Sequence, residues 1–172
     1  MVSSISPILN VIVSSEFCED FKNNDYTFEL SDISSLVDHF RRLKSDLQSP
    51  DKPLVLSLRT SKNFQIGKFQ SVLNIGLNDS NVEELGKHYL RSKFAYESYY
   101  FFLINFIELC YNVPRVQVMN LENRLLESKK LSSFSELKLN DLKELIGIIK
   151  GFSEKNNYVI PENIEEQIAR IL

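Results

Sequence analysis

The chain has 172 residues, of which 43% are hydrophobic and 25% charged, and its formal net charge is −3 at pH 7. These values are typical of a globular protein and exclude a disordered, fibrous or membrane class. The charge gives no overall attraction to nucleic acid. The two cysteines are far apart in the sequence, and neither a disulfide framework nor a four-ligand zinc site can be built from them. Residues 1–13 lack the basic start and long apolar run of a signal peptide, so we expect a cytoplasmic or nuclear protein with reduced thiols.

The first part of the chain mixes short alternating segments with one helix. Residues 8–13 and 26–30 each have the β-branched or alternating pattern of a strand. From Ser31 the apolar residues recur at helical spacing, and Pro50 and Pro53 end the pattern. The apolar residues that share one face of this predicted helix are Ile33, Leu36, Val37, Phe40, Leu43 and Leu47.

Two alternating runs, at residues 54–58 and 69–77, give the best strand evidence in the chain. In the second run Leu73, Ile75 and Leu77 share one parity and should face the same side. The loop between the runs would close them into a small antiparallel β-hairpin, spanning about residues 54–77 and packed against the helices.

A long central helix is predicted over about residues 80–112. Ser80 followed by Glu83 is the pattern of a capping box at a helix start, and Pro114 ends the helix. Residues 99–111 are apolar nearly all round, so this part of the helix must be enclosed. A seam with alternating spacings of three and four residues runs along the helix and packs lengthwise against another helix, from this chain or from a second copy. Its members are Val82, Leu85, Tyr89, Ser92, Tyr96, Tyr99, Leu103, Phe106 and Cys110.

Further helices are predicted at about residues 114–128, 139–152 and 164–171. The fold class is therefore α+β and predominantly helical, a bundle around the long central helix with the small hairpin from the N-terminal half. We expect one domain over residues 1–172, in which 1–78 form a mixed α/β layer and 79–172 a helical layer.

No constellation for catalysis, cofactor binding or metal binding stands out. His39 and His88 are the two histidines, and neither lies in a recognisable nucleophile motif. The five glycines are scattered singly, so no phosphate-binding loop is present. The acidic clusters at 16–20 and 162–166 have the pattern of helix starts or solvated faces. The sequence therefore predicts no catalytic residue, no cofactor and no metal.

These observations favour a non-enzymatic protein–protein interaction or assembly subunit of an intracellular complex. Its partner would be another protein or a second copy of the chain, and no membrane is involved. The candidate interface consists of seam residues, namely Val82, Leu85, Tyr89, Tyr96, Tyr99 and Leu103.

Two alternatives remain open. The first is a nucleic-acid-binding protein that uses basic groups near residues 41–44 and 87–93, the second of which runs into an aromatic stretch. The second is an enzyme whose site is assembled from dispersed carboxylates, and it requires a polar cleft. The candidate nucleic-acid contacts are Arg41, Arg42, Lys44, Lys87, Arg91 and Lys93.

Overall fold

The computed structural model of the chain describes residues 30–46, 53–58 and 71–171. These residues form a predominantly helical α+β fold with a two-stranded antiparallel sheet, which confirms the predicted fold class. A single 3₁₀ turn, Phe134–Glu136, precedes the penultimate helix. The other elements in chain order are α1 (Leu30–Asp46), β1 (Leu56–Leu58), β2 (Val72–Ile75), α2 (Val82–His88), α3 (Ser92–Tyr111), α4 (Arg115–Lys129), α5 (Leu139–Lys155) and α6 (Ile164–Ile171).

The hairpin lies where the alternating runs predict it, but its buried face differs. Leu56 pairs with Ile75 and Leu58 with Val72, so β2 has one residue more than β1 between the two pairs. Asn74, inside this bulge, has a φ of 63°. The bulge shifts the alternation by one residue. Val72 is therefore buried with Ile75, whereas Leu73, expected on the buried face, is exposed.

The predicted long helix is two helices, α2 and α3, separated by a turn at residues 89–91. The amide of Arg91 donates to the carbonyl of Gly86, and the amide of Leu90 donates to that of Lys87. With Leu90 at a φ of 52°, this is a Schellman motif, which ends a helix with a left-handed residue that is usually glycine. The prediction of one continuous helix was wrong because leucine occupies the position where glycine would have signalled the end.

Two more helices end in the same way without glycine. Lys130 has a φ of 56° after α4, and Asn157 has a φ of 58° after α5. At each end the amide of the left-handed residue and the amide of the residue after it donate to carbonyls of the helix's last turn. The ends of α2, α4 and α5 are therefore turns that glycine does not mark in the sequence.

The start of α2 also differs from the prediction. Ser80 and Glu83 do not form a capping box; instead the side chains of Asn78 and Asn81 each accept a hydrogen bond from the other's backbone amide, at 3.0 and 2.9 Å. This exchange fixes the turn between β2 and α2. Helix α2 then begins at Val82.

Helix α3 is the centre of the core, as its apolar composition predicts. Its neighbours are α2, α4, α5, α6 and β2, all from the same chain. Phe102 and Phe106 are fully buried, and burial of each contributes about 2 kcal/mol. The buried residues of α3 are Ala95, Ser98, Tyr99, Tyr100, Phe102, Leu103, Ile104, Phe106 and Ile107.

The C-terminal helix is tied to the hairpin by one buried side chain. Gln167 accepts a hydrogen bond from the amide of Gly76 at 2.6 Å and donates to the carbonyls of Leu77 at 3.2 Å and Pro161 at 2.9 Å. Gly76 has a φ of 102°, and a Cβ there would lie 2.4 Å from the carbonyl oxygen of Leu54. Glycine is therefore required where β2 turns away from β1.

The remaining predicted elements fall partly outside the described residues. Helices α1, α4, α5 and α6 lie close to their predicted ranges. The predicted strand at 8–13 lies outside the described residues, and of the one at 26–30 only Leu30 is described, as the first residue of α1. The division of one domain over residues 1–172 into two layers stays a prediction.

Candidate functional site

An open groove of about 490 Å³ lies between the hairpin and the turn that joins α2 to α3. The hairpin contributes Val55 and Asn74, and the remaining lining residues come from the two helices and from the turn between them. The residues that line the groove are Val55, Asn74, Leu85, Tyr89, Arg91, Phe94 and Ser98.

The groove exists because of the two irregular turns described above. The bulge in β2 directs Asn74 toward α3, where its side-chain amide donates to the carbonyl of Ser98 at 3.1 Å. The Schellman turn places Tyr89 and Arg91 beside the first turn of α3. Gly86 permits the close approach of the two helices, since a Cβ there would lie 2.8 Å from the Cα of Ser92. A continuous helix would have no groove at this position.

The groove is cationic and partly aromatic. Among the described residues, Arg91 is the only charged one that lines the groove, and none of the lining residues is a carboxylate. Tyr89 and Phe94 are 48% and 52% exposed, so two aromatic rings are open to solvent beside the guanidinium. This combination suits an anion, because a guanidinium offers several donors in a plane that matches a carboxylate or a phosphate.

Two acidic residues of the flanking helices are paired within their own helices. Glu83 lies 3.5 Å from Lys87 on α2, and Glu97 lies 3.6 Å from Lys93 on α3. Among the described residues, Arg91 forms no ion pair with a carboxylate. Its charge therefore remains accessible to a ligand.

Two tyrosine hydroxyls of α3 lie in polar clusters away from the groove lining. Tyr99 donates to Asp79 at 3.0 Å, and Lys150 contacts the same carboxylate. Tyr100 donates to Glu122 on α4. Burial, and then the nearby carboxylate, raise the pKa of each tyrosine well above its usual range. These hydroxyls therefore stay protonated and hold α3 to its neighbours.

The one described cysteine is poorly suited to nucleophilic chemistry. Burial raises the pKa of Cys110 to about 12, against a smaller opposing effect of Arg170. A thiol with such a pKa is almost entirely uncharged near neutral pH and is therefore a weak nucleophile. Its Sγ contacts the carbonyl of Arg170 at 3.4 Å, which makes it part of the contact between α3 and α6.

The two histidines and the acidic cluster at 162–166 form no metal site in the described part of the chain, and the cluster at 16–20 lies outside it. No group of three His, Cys, Asp or Glu side chains there could hold a metal ion. His39 is exposed on α1, and His88 is exposed at the end of α2 with its ring 4.9 Å from that of Tyr89. Of the acidic cluster at 162–166, Glu165 pairs with Arg41 at 2.7 Å.

The candidate interface residues lie mostly inside the protein. Val82, Leu85, Tyr99 and Leu103 are between 0 and 7% exposed, because the seam packs on the chain's own helices and hairpin. Tyr96 is half-buried, and Tyr89 lies in the groove. Four of the six residues therefore have almost no surface left for another chain, and a protein or second-copy partner stays a prediction.

The candidate nucleic-acid contacts lie on different elements and are mostly paired. Arg41 lies on α1 and pairs with Asp38 and Glu165, and Arg42 is exposed beside it. The side chain of Lys44 lies outside the described residues. Lys87 and Lys93 form the pairs with Glu83 and Glu97 given above. Of these basic residues only Arg91 lines the groove. Leu85 and Tyr89, predicted as interface residues, line it too, whereas Val55, Asn74, Phe94 and Ser98 were not predicted as site residues.

In the described part of the chain, no helix is both long and apolar enough to cross a membrane. A cytoplasmic or nuclear location stays a prediction.

Comparison with known proteins finds relatives among enzymes. The chain is 30% identical to a pyruvate, phosphate dikinase of Flaveria trinervia over 172 residues, which cover 96% of this chain and 18% of the relative. It is 30% identical to pyruvate, phosphate dikinase 1 of Zea mays over 143 residues, 80% of this chain and 15% of the relative. It is 26% identical to the pyruvate, phosphate dikinase of Clostridium symbiosum over 163 residues, which cover 91% of this chain and 19% of the relative. No protein-family model matches the chain.

These relatives correct the functional prediction. They are named as dikinases, which are enzymes, so the predictions of a non-enzymatic interaction or assembly subunit and of a protein that is not an enzyme were wrong. The same finding replaces the nucleic-acid-binding alternative. Two of the three relatives are named as chloroplastic. The chain is thus similar to a portion, less than one fifth of the length, of enzymes named pyruvate, phosphate dikinase.

Proposed function

We propose that this chain forms part of an enzyme of the pyruvate, phosphate dikinase type, and that its groove contacts an anionic substrate of that enzyme. The observation that carries the proposal is the extent of the similarity, which reaches 96% of the chain at 30% identity. A similarity confined to one apolar helix would be weaker support, because apolar helices resemble one another in composition.

The chemistry of the groove supports the same proposal. The name of the relatives specifies pyruvate and phosphate, and both are anions near neutral pH. Arg91 supplies a guanidinium that has no ion pair with a described carboxylate, in a groove lined by no described carboxylate. Arginine binds carboxylates and phosphates through parallel N–H donors. In phosphoryl transfer, such cations position the substrate and stabilise the charge of the transition state.

The first experiment tests the enzyme class with a chimera. The aligned segment of the Flaveria trinervia enzyme is replaced by this chain, and phosphoryl transfer is measured with ATP, pyruvate and inorganic phosphate as probes. We expect activity that depends on both pyruvate and phosphate. A chimera that carries an unrelated helical segment of the same length is the control. A correctly folded but inactive chimera of this chain would overturn the proposal.

The second experiment tests the groove. In the chimera, Arg91→Ala should raise the KM for pyruvate or the KM for phosphate by about tenfold. The reason is that a charge-assisted contact contributes about 1.5–3 kcal/mol. Arg91→Lys keeps the charge but not the planar donors, and should lie in between. Arg124→Ala, which removes an exposed arginine of α4, is the matched control. Equal KM values for the Arg91 and Arg124 variants would exclude the groove as the contact.

A further inference from the structure

The loop between α4 and α5 carries three exposed serines, Ser132, Ser133 and Ser135. Two of these hydroxyls bind each other, since the Oγ atoms of Ser133 and Ser135 lie 2.9 Å apart, and Ser133 also donates to Glu136 at 3.0 Å. Ser132 uses its backbone amide to bind the same carboxylate at 3.3 Å. Its hydroxyl has no hydrogen-bond partner among the described residues, and it is therefore the serine of this loop whose oxygen is open to reaction.

Ser132 follows a pair of lysines. Lys129 and Lys130 precede it by three and two positions. Lys129, at the end of α4, lies 3.2 Å from Asp141 and 2.8 Å from Glu144. Lys130 is exposed in its left-handed conformation and forms no ion pair with any described residue. A basic pair before an exposed serine is a charge pattern of the kind by which protein kinases select substrates.

We propose that Ser132 is a phosphorylation site for a protein kinase that selects serines preceded by basic residues. The kinase transfers the γ-phosphoryl group of a nucleoside triphosphate to Ser132 Oγ. The new bond joins Oγ to phosphorus, the bond from that phosphorus to the β–γ bridging oxygen breaks, and the hydroxyl proton leaves with nucleoside diphosphate as the second product. This site goes beyond the dikinase proposal and does not depend on it.

The structure gives the modification a local consequence. A phosphate carries between one and two negative charges near neutral pH, and it would be added beside Glu136, which holds both Ser132 and Ser133. Repulsion between the phosphate and the carboxylate of Glu136 weakens the hydrogen bonds from Ser132 and Ser133, which fix the 3₁₀ turn. Phe134 in that turn stacks on Tyr100 of α3 at 4.8 Å. Phosphorylation therefore loosens the contact between this loop and the central helix.

The experiment uses the purified chain, ATP with a labelled γ-phosphate, and the catalytic subunit of cyclic-AMP-dependent protein kinase, which selects serines after basic residues. We expect label on Ser132, located by mass spectrometry. Ser132→Ala should lower incorporation by at least about tenfold, Ser133→Ala should leave it within about twofold, and Lys130→Ala should lower it because a recognition charge is removed. Circular dichroism of each variant verifies that the fold is retained.

Three results would overturn the proposal. They are the absence of label on the wild-type chain, label that survives Ser132→Ala, and label carried by Ser133 or Ser135. Hydrogen exchange then tests the consequence separately, since the amides of Glu136 and Leu137 should exchange faster in the phosphorylated chain. Unchanged exchange would reject the loosening of the loop.

Discussion

Gln167 and Gly76 are 91 residues apart in the sequence, and the side-chain oxygen of Gln167 accepts a hydrogen bond from the amide of Gly76 at 2.6 Å. Gln167 is fully buried, and its side-chain nitrogen satisfies two further backbone carbonyls. One polar side chain thus joins the end of β2, the approach to α6 and α6 itself. In apolar surroundings each of these backbone groups would be costly to leave unpaired.

Replacement of Gln167 by leucine should therefore destabilise the protein strongly. Gln167→Leu keeps the volume but leaves one amide and two carbonyls without their partner, and we expect the free energy of unfolding to fall by about 2–4 kcal/mol. Urea denaturation followed by circular dichroism measures the change. Gln117→Leu, at an exposed position of α4, is the control and should change stability by less than about 0.5 kcal/mol. Similar losses in both variants would contradict the buried role of Gln167.

Two helical glycines should respond to alanine in opposite ways. At Gly86 a Cβ would lie 2.8 Å from the Cα of Ser92, whereas at Gly147 it would meet no atom within 4 Å. We expect Gly86→Ala to destabilise by about 1–3 kcal/mol through forced separation of α2 and α3. Gly147→Ala should stabilise by about 0.5–1 kcal/mol, because alanine loses less backbone entropy in a helix. Thermal unfolding of the two variants compares them, and a stabilising Gly86→Ala would show that the helices do not touch there.

At position 90, glycine should give a more stable protein than the natural leucine. It is 91% exposed and has a φ of 52°, a conformation that costs a residue with a Cβ about 1 kcal/mol. Leu90→Gly should therefore raise the free energy of unfolding by up to about 1 kcal/mol. Leu90→Ala keeps the backbone penalty and should leave stability nearly unchanged. If glycine destabilised the chain, the turn between α2 and α3 could not have the left-handed geometry.

The buried tyrosines of α3 should make the fold sensitive to alkaline pH. Tyr99 and Tyr100 have raised pKa values in the folded protein, whereas in the unfolded chain a tyrosine deprotonates near its ordinary pKa of about 10. Above that pH the unfolded state holds fewer protons than the folded state, so stability falls as the pH rises. Below it the contribution of the two hydroxyls is fully present.

This pH dependence can be tested with phenylalanine variants. The free energy of unfolding, measured between pH 8 and pH 11, should fall less steeply in the double variant Tyr99→Phe and Tyr100→Phe than in the wild-type chain. At pH 8 the double variant should be less stable by about 1–3 kcal/mol, because two hydrogen bonds are lost and two carboxylates keep their charge without the hydroxyl. Identical slopes would show that neither hydroxyl contributes to the alkaline loss.

The helices could be predicted from sequence because their apolar spacing matches their burial. In α5, Leu142, Leu145 and Ile149 have helical spacing, and all three are fully buried. The division between α2 and α3 could not be predicted, because the residues on either side keep the same spacing and Leu90 carries no glycine signal. Likewise Asn74 does not mark a bulge in the sequence, so the predicted parity of β2 placed Leu73 on the wrong face.

The groove could not be predicted from the sequence for a related reason. Its lining residues come from positions 55 to 98 and meet only because of the bulge, the Schellman turn and the contact at Gly86. Arg91 was included among the basic residues of the nucleic-acid alternative, but its lack of an acidic partner is a property of the fold. Phe94 was visible only as part of an aromatic stretch, and no spacing signal marks Asn74 or Ser98.

The bond between Gly76 and Gln167 also sets an order of events during synthesis. A ribosome adds about 5–20 residues per second, so the 91 residues from the one after Gly76 to Gln167 take roughly 5–20 s to appear. During that interval the hairpin has been synthesised, but the side-chain oxygen of Gln167 that accepts from Gly76 has not. The helices that follow the hairpin can already pack around α3. The hairpin is thus completed by a helix that is synthesised later, so this contact forms by docking of segments that are distant in the sequence.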